Sequence, residues 1–338
     1  MAAAPLVPSR RQLAIGAGFL ALLVLPLSLI GWALGAPLAL AALPGVAVGF
    51  VVTLQAKAIR PALLAVALMA VLAFVSTLAA SSAIAAALWL GLVGLAYGLG
   101  GLRGWHRLTM QMAIWCSYIV VNPLQADAPS KLARIGVVQA DLRAALVTAL
   151  AVVLAGAAVA LLVDRVKGRT PPRPLEPLTP RAAWIVGIAC GTLLAIGAAI
   201  VLSAYRVPAS EWLLLTIVVL IQPGVHATLR HTIERVAGTI AGVIAAGLLG
   251  VALGTTPLRP LLGLVLMAIA FAYLQMPQRY WAYVGIFTSG LVLISAPPAE
   301  TDAVAAYRLG FTLAGATAVA AVAIAVSALG RLTRPSSG

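Results

Sequence analysis

Twelve apolar runs succeed one another along this chain with few polar intervals, and that succession decides what it can fold into. Read between charges, prolines and glycines, they fall near residues 13–34, 37–56, 61–80, 82–100, 108–123, 143–163, 182–203, 211–227, 235–254, 259–275, 280–297 and 304–329. A helix of about 20 apolar residues crosses the ~30 Å hydrocarbon layer of a bilayer. Lipid offers no partner to open backbone groups, so such runs are helical. Composition points the same way: 63% of residues are hydrophobic and 9% charged, against roughly 45–50% and 25% in soluble domains. The predicted fold class is an all-α polytopic membrane protein of about 12 transmembrane helices.

The net charge of +14 would suggest nucleic acid in a soluble domain. Here too few polar residues remain to build a phosphate-tracking face, and no nucleic-acid partner is expected. Lys and Arg are retained on the cytoplasmic side of membranes. With the N-terminus inside, twelve spans leave only Lys131, Arg134, Arg143, Arg206, Arg259 and Arg308 outside, and the other sixteen of the 22 inside. Twelve spans with both termini cytoplasmic is therefore the expected topology. Ser9-Arg10-Arg11-Gln12-Leu13 has the look of a twin-arginine export signal. The run to Leu34 is long enough to span and more spans follow, so a first transmembrane helix is expected.

Four parts result: an N-terminal six-helix half (1–163), a cytoplasmic Pro/Arg-rich linker (164–181), a C-terminal six-helix half (182–330) and a cytoplasmic tail (331–338). The linker is too short for a domain, and no G-x-x-x-x-G-K-[ST] loop for ATP is present. Cys116 and Cys190 lie within apolar runs and are expected as buried thiols. No His, Cys or carboxylate grouping has metal-ligand spacing, and no Ser-His or Asp-pair constellation suggests an enzyme. Neither metal nor cofactor is expected.

Arg235-Val-Ala-Gly-Thr239-Ile-Ala-Gly242 and Arg308-Leu-Gly-Phe-Thr312-Leu-Ala-Gly315 share Arg, Thr at +4 and Gly at +7. Each opens the third span of a triplet whose middle span holds a tryptophan, Trp212 or Trp281. Three being odd, the triplets run oppositely through the membrane, the inverted repeat with which secondary transporters build a midplane site. Positions i, i+4 and i+7 share one helix face. The glycine there admits a close neighbour, and an arginine near a helix start concentrates positive potential suited to an anion. The plainer reading is an arginine reaching to the headgroups above a packing face.

Glu211-Trp212-Leu-Leu-Leu-Thr216, Gln222-Pro223, Thr228-Leu-Arg230 and Arg235-Val-Ala-Gly238-Thr239-Ile-Ala-Gly242 together resemble the fusaric acid resistance protein family of integral membrane transporters, which includes aromatic acid exporters. The resemblance covers about 182–330; the first six spans lack the Trp, the Gln-Pro ending and the Arg-Gly-Thr-Gly set. It implies export of small organic anions, aromatic carboxylic acids above all, across a bacterial inner membrane, driven by the proton gradient. The partners it brings are the organic anion and a periplasmic membrane-fusion protein; the lipid bilayer and a second copy of the chain are the other expected partners.

The expected substrate-binding residues are Trp212, Thr216, Gln222, Arg235, Thr239, Trp281, Arg308 and Thr312. Gln222 could bond a carboxylate or merely cap the Pro223-Gly224 turn. Trp212, Tyr280, Trp281 and Tyr283 could stack on an aromatic ring or belong to the interfacial aromatic belt. Glu211 and Glu234 are the candidate proton carriers, with Glu234 also placed to pair with Arg230 at i,i+4. His226 and His231 are expected in a basic surface loop. Two other functions stay open: a passive organic-anion channel, since no carboxylate falls mid-span, and a non-transporting membrane scaffold, which the divergent first half allows.

Overall fold

The computed structural model describes residues 7–56, 58–122, 136–166, 176–205, 209–273, 276, 279–295 and 300–332. Among them every regular element is helical: α1 (Arg10–Leu34), α2 (Ala36–Gln55), α3 (Ile59–Ala79), α4 (Ala83–Gly100), α5 (His106–Val121), α6 (Gly136–Val166), α7 (Pro180–Ala204), α8 (Glu211–Leu220), α9 (Val225–Leu253), α10 (Leu258–Tyr273), α11 (Tyr280–Ser295) and α12 (Thr301–Leu332). Each overlaps one apolar run. Eight are long and apolar enough to cross a membrane, whereas α8, α10 and α11 are shorter apolar helices. Large apolar side chains such as Leu64, Ile84, Leu88, Ile188, Leu248 and Val251 point outward, the reverse of a water-facing surface. This is a multi-pass membrane protein.

Capping chemistry fixes several helix starts. Ser9 Oγ accepts from the Gln12 backbone N–H while Gln12 Oε1 accepts from the Ser9 N–H, so α1 opens on a reciprocal box. Thr179 accepts from the Ala182 N–H ahead of Pro180 at the first position of α7. The linker residues 167–175 and the tail residues 333–338 lie outside the described residues.

The chain divides into two compact units, Leu22–Arg206 and Met1–Ala21 with Val207–Gly338. In the first, α7 packs against α4; the sequence grouping had placed it with the C-terminal half. The reason is glycine: a Cβ on Gly94 would come within 2.6 Å of the Gly191 backbone. Such contact gives apolar helices a dispersion gain that lipid does not match. Trp89 Nε1 donates to Ser76 Oγ at 2.9 Å across α4 and α3. Both cysteines are free and buried in this unit.

The second unit holds α8–α12 and the start of α1, whose Gly16 lies against the backbone of α10 at Ala268 and Ala272. α9 is the element most unlike its expected run. It begins at Val225, ten residues before the expected start, and α8 ends at Leu220. Pro223 and Gly224, the latter at φ 119°, break the helix there. Arg230, Glu234 and Arg235 then sit inside a continuous helix, because an isolated charge does not end a helix as a proline does. His226 and His231 are likewise helical, correcting their placement in a loop. At 29 residues α9 is about 43 Å long, longer than the hydrocarbon layer, so its polar first turns need not lie in lipid.

Candidate functional site

The second unit draws polar side chains into an apolar bundle. Arg308, seven residues into α12, is 2% exposed, and Arg235, ten residues into α9, is 6% exposed. Both reach the same tryptophan. The Arg308 Cζ atom lies 3.6 Å from the Trp212 ring centroid and the Arg235 Cζ atom 5.8 Å from it. A cation over an indole face gains about 0.5–2 kcal/mol, most where water is excluded. Arg308 Nη2 also donates to Thr288 Oγ1 at 3.4 Å, and Phe287 lies 5.8 Å from its Cζ. Buried guanidinium groups are costly unless paired. Glu211, in the first turn of α8, is the acid whose charge acts on Arg308.

Trp212 owes its position to α8 itself. Ten residues give about 15 Å of helix, half a bilayer. It starts beside Ala209, at φ 69°, and the buried Ser210. Its positive dipole end therefore meets the two arginines. Ser210 Oγ, Thr216 Oγ1 and Arg235 Nε are buried polar atoms without a hydrogen-bond partner among the described residues. Leaving such a group unpaired costs about 1–3 kcal/mol.

An aromatic stripe on α11 completes the wall. Tyr280, Tyr283 and Phe287, at i, i+3 and i+7, contact in series at 6.0 and 5.6 Å between centroids. Phe287 continues to Trp212 at 6.4 Å and to Phe271 at 6.3 Å. His231 caps the other end, 4.8 Å from Tyr280 in edge contact.

The repeated glycines make matching contacts. A Cβ on Gly242 would lie 2.5 Å from the Gly285 carbonyl oxygen and 2.7 Å from Thr288 Cβ; one on Gly315 would lie 3.0 Å from the Leu213 carbonyl oxygen and 3.1 Å from Thr216 Cβ. Ser289 Oγ donates to the Gly242 carbonyl oxygen at 3.0 Å, tying α11 to α9.

Of the residues expected at the site, Trp212, Arg235 and Arg308 converge, with Glu211 next to Trp212 in the first turn of α8 and Thr216 one turn further along it. Thr239 and Thr312 are both buried, one turn beyond their arginines. Three others are elsewhere. Trp281 is 46% exposed on the outer face of α11. Gln222 holds the turn: its Nε2 donates to the Val219 carbonyl oxygen at 2.8 Å, and its backbone N–H and carbonyl both bond Thr228 Oγ1 at 3.1 Å. Glu234 Oε1 accepts from Arg230 Nε at 2.9 Å, the i,i+4 pair its spacing suggested. Phe287 and Thr288 were missed, although Tyr280, Tyr283 and Phe287 are legible as one face of a helix.

The arrangement is a positively charged cluster of side chains with an aromatic wall inside an apolar bundle. Comparison with curated proteins and with solved structures finds no match. Residues 194–323 match the family model described as fusaric acid resistance protein-like. That segment contains every residue of the arginine and aromatic cluster, so it is the site-bearing C-terminal part of this membrane protein that is similar to the family.

Proposed function

We propose that the protein exports small organic anions, aromatic carboxylic acids in particular, from the cytoplasm across a bacterial plasma membrane. In this reading all twelve helices span or enter the bilayer, both termini are cytoplasmic, and α7–α9 and α10–α12 form inverted triplets. The observation that carries it is the pair of buried guanidinium groups at Trp212. Two cations are retained in an apolar bundle at considerable cost, and an anionic ligand offsets that cost. The aromatic stripe supplies faces for a ring, and the family match supports transport in general.

The proton-motive force is the proposed drive. Its electrical part alone favours outward movement of an anion by about 2.3 kcal/mol per 100 mV. Glu211 is the proposed proton carrier, because protonation would remove the charge it presents to Arg308. Everted membrane vesicles test the reading. Energised vesicles containing the protein should accumulate benzoate or a hydroxybenzoate, and an uncoupler should abolish the accumulation. Vesicles that show no uncoupler-sensitive uptake of any aromatic acid would argue against it.

A further inference from the structure

The two arginines are not equivalent, and the difference assigns them different work. Each repeated glycine packs on a carbonyl and on the threonine three residues beyond it: Gly242 on Gly285 and Thr288, Gly315 on Leu213 and Thr216. Exchanging α8 with α11 and α9 with α12 therefore exchanges Thr216 with Thr288 and Arg235 with Arg308. In that register Trp212 corresponds to Val284 and not to Trp281, so the ring both arginines share belongs to one side alone. Arg308 bonds Thr288 at 3.4 Å and stacks on Trp212. Its counterpart makes no such bond: Arg235 Nε and Thr216 Oγ1 are both buried, with residue exposures of 6% and 0%, and both lack a partner among the described residues.

We infer, resting on the transport reading above, that Arg235 and Thr216 grip the carboxylate of an aromatic monocarboxylate while Arg308 is a positioning residue. The chemistry follows from the donor count. Arg235 Nε and the Thr216 hydroxyl each present a proton, so the ligand must accept twice. A carboxylate has two acceptor oxygens, and its bonds to these groups are charge-assisted. An alcohol oxygen can accept twice but carries no charge to offset the two guanidinium groups, and a cation would meet their like charge. Ser210 Oγ, also buried and without a partner among the described residues, stands at the start of α8 two residues before Trp212. Arg308 is already held by Thr288 and Trp212, so it fixes the ring of Trp212 and keeps the potential positive. The aromatic ring of the substrate lies against Tyr283, Phe287 and Trp212, which contact one another in a tilted pair at 5.6 Å and an edge-to-face pair at 6.4 Å.

The test is affinity and flux measured on the full-length protein, purified for binding and reconstituted for transport, with benzoate, cyclohexanecarboxylate and benzyl alcohol as probes. The wild type should bind benzoate at least 100-fold more tightly than benzyl alcohol and a few-fold more tightly than cyclohexanecarboxylate. Arg235→Gln and Thr216→Val should each weaken benzoate binding at least tenfold, and the double variant should lose little beyond Arg235→Gln. Thr216→Ser, which keeps the hydroxyl, should retain affinity and controls for misfolding of Thr216→Val. Thr288→Val should lose at least threefold less affinity than Thr216→Val. Arg308→Gln should lower the maximal rate more than it lowers affinity, with part of the rate restored by Arg308→Lys. Equal losses for Thr216→Val and Thr288→Val, or an affinity loss for Arg308→Gln as great as for Arg235→Gln, would overturn the assignment while leaving anion transport standing. A wild type that binds no benzoate contradicts both the transport reading and this one.

Discussion

Arg308 on α12 lies over the face of Trp212 on α8, its Cζ 3.6 Å from the ring centroid, and this stacking joins two helices far apart in the chain. The contact does two things at once. It offsets part of the cost of a guanidinium that is 2% exposed, and it holds the first turn of a ten-residue helix against a long one. Replacing Trp212 by Ala should destabilise the protein by about 1–3 kcal/mol and cut benzoate flux at least tenfold. Trp212→Phe, which keeps an aromatic face, should recover part of both. Thermal unfolding in detergent and flux in proteoliposomes check the pair.

Packing at the repeated glycines sets a second expectation. Gly242→Ala would force its Cβ to 2.5 Å from the Gly285 carbonyl oxygen, so α9 and α11 must move apart. The expected cost is about 1–3 kcal/mol, seen as a lowered unfolding temperature. Gly247→Ala, further along the same helix and with no atom within 4 Å of the added Cβ, should be neutral or stabilising by up to about 1 kcal/mol. Equal destabilisation by the two substitutions would refute the close approach of α9 to α11.

The turn between α8 and α9 depends on Thr228, whose hydroxyl bonds both the N–H and the carbonyl of Gln222 at 3.1 Å. Thr228→Val should cost about 1–2 kcal/mol, and Gln222→Ala should cost less, since one bond to Val219 is lost. Neither residue touches the arginine cluster, so the benzoate Kd of both variants should stay within threefold of the wild type, by calorimetry.

Trp281 offers a negative prediction. It faces outward from α11, so Trp281→Ala should leave benzoate flux within about twofold of the wild type. Phe287→Ala, on the inner stripe, should lower it at least fivefold by removing about 1–1.5 kcal/mol of ring contact. A Trp281→Ala variant without flux would restore that residue to the site.

Element number and type were legible because lipid leaves few choices: each apolar run had to close its backbone hydrogen bonds internally. Element ends were less so. The expected start of α9 was drawn at Arg235, although Pro223-Gly224 gave a stronger break, and the ten residues between are helix-compatible. The repeated Arg, Thr and Gly mark a buried face of α9 and α12, since 3.6-residue periodicity places them on one stripe. The tryptophan pairing misled, because residue type alone cannot register two helices; the glycine contacts do, and they leave Trp281 outside. Phe287 shares a helix face with Tyr280 and Tyr283 at i, i+3 and i+7 and is legible from that spacing, whereas Thr288 is recognisable only once the inner face of α11 is known.

The most direct measurement is benzoate counterflow in proteoliposomes containing the wild type or the Arg235→Gln/Arg308→Gln double variant, both verified as folded by their unfolding temperatures. The buried arginine pair at Trp212 is held to be what anion transport depends on, whether an arginine binds the anion or positions the ring. Wild-type proteoliposomes should therefore show saturable counterflow, and the double variant should lose at least 95% of it, a barrier increase of about 1.8 kcal/mol or more. Counterflow undiminished in the double variant, or absent from the wild type for every aromatic carboxylate tried, would contradict that claim.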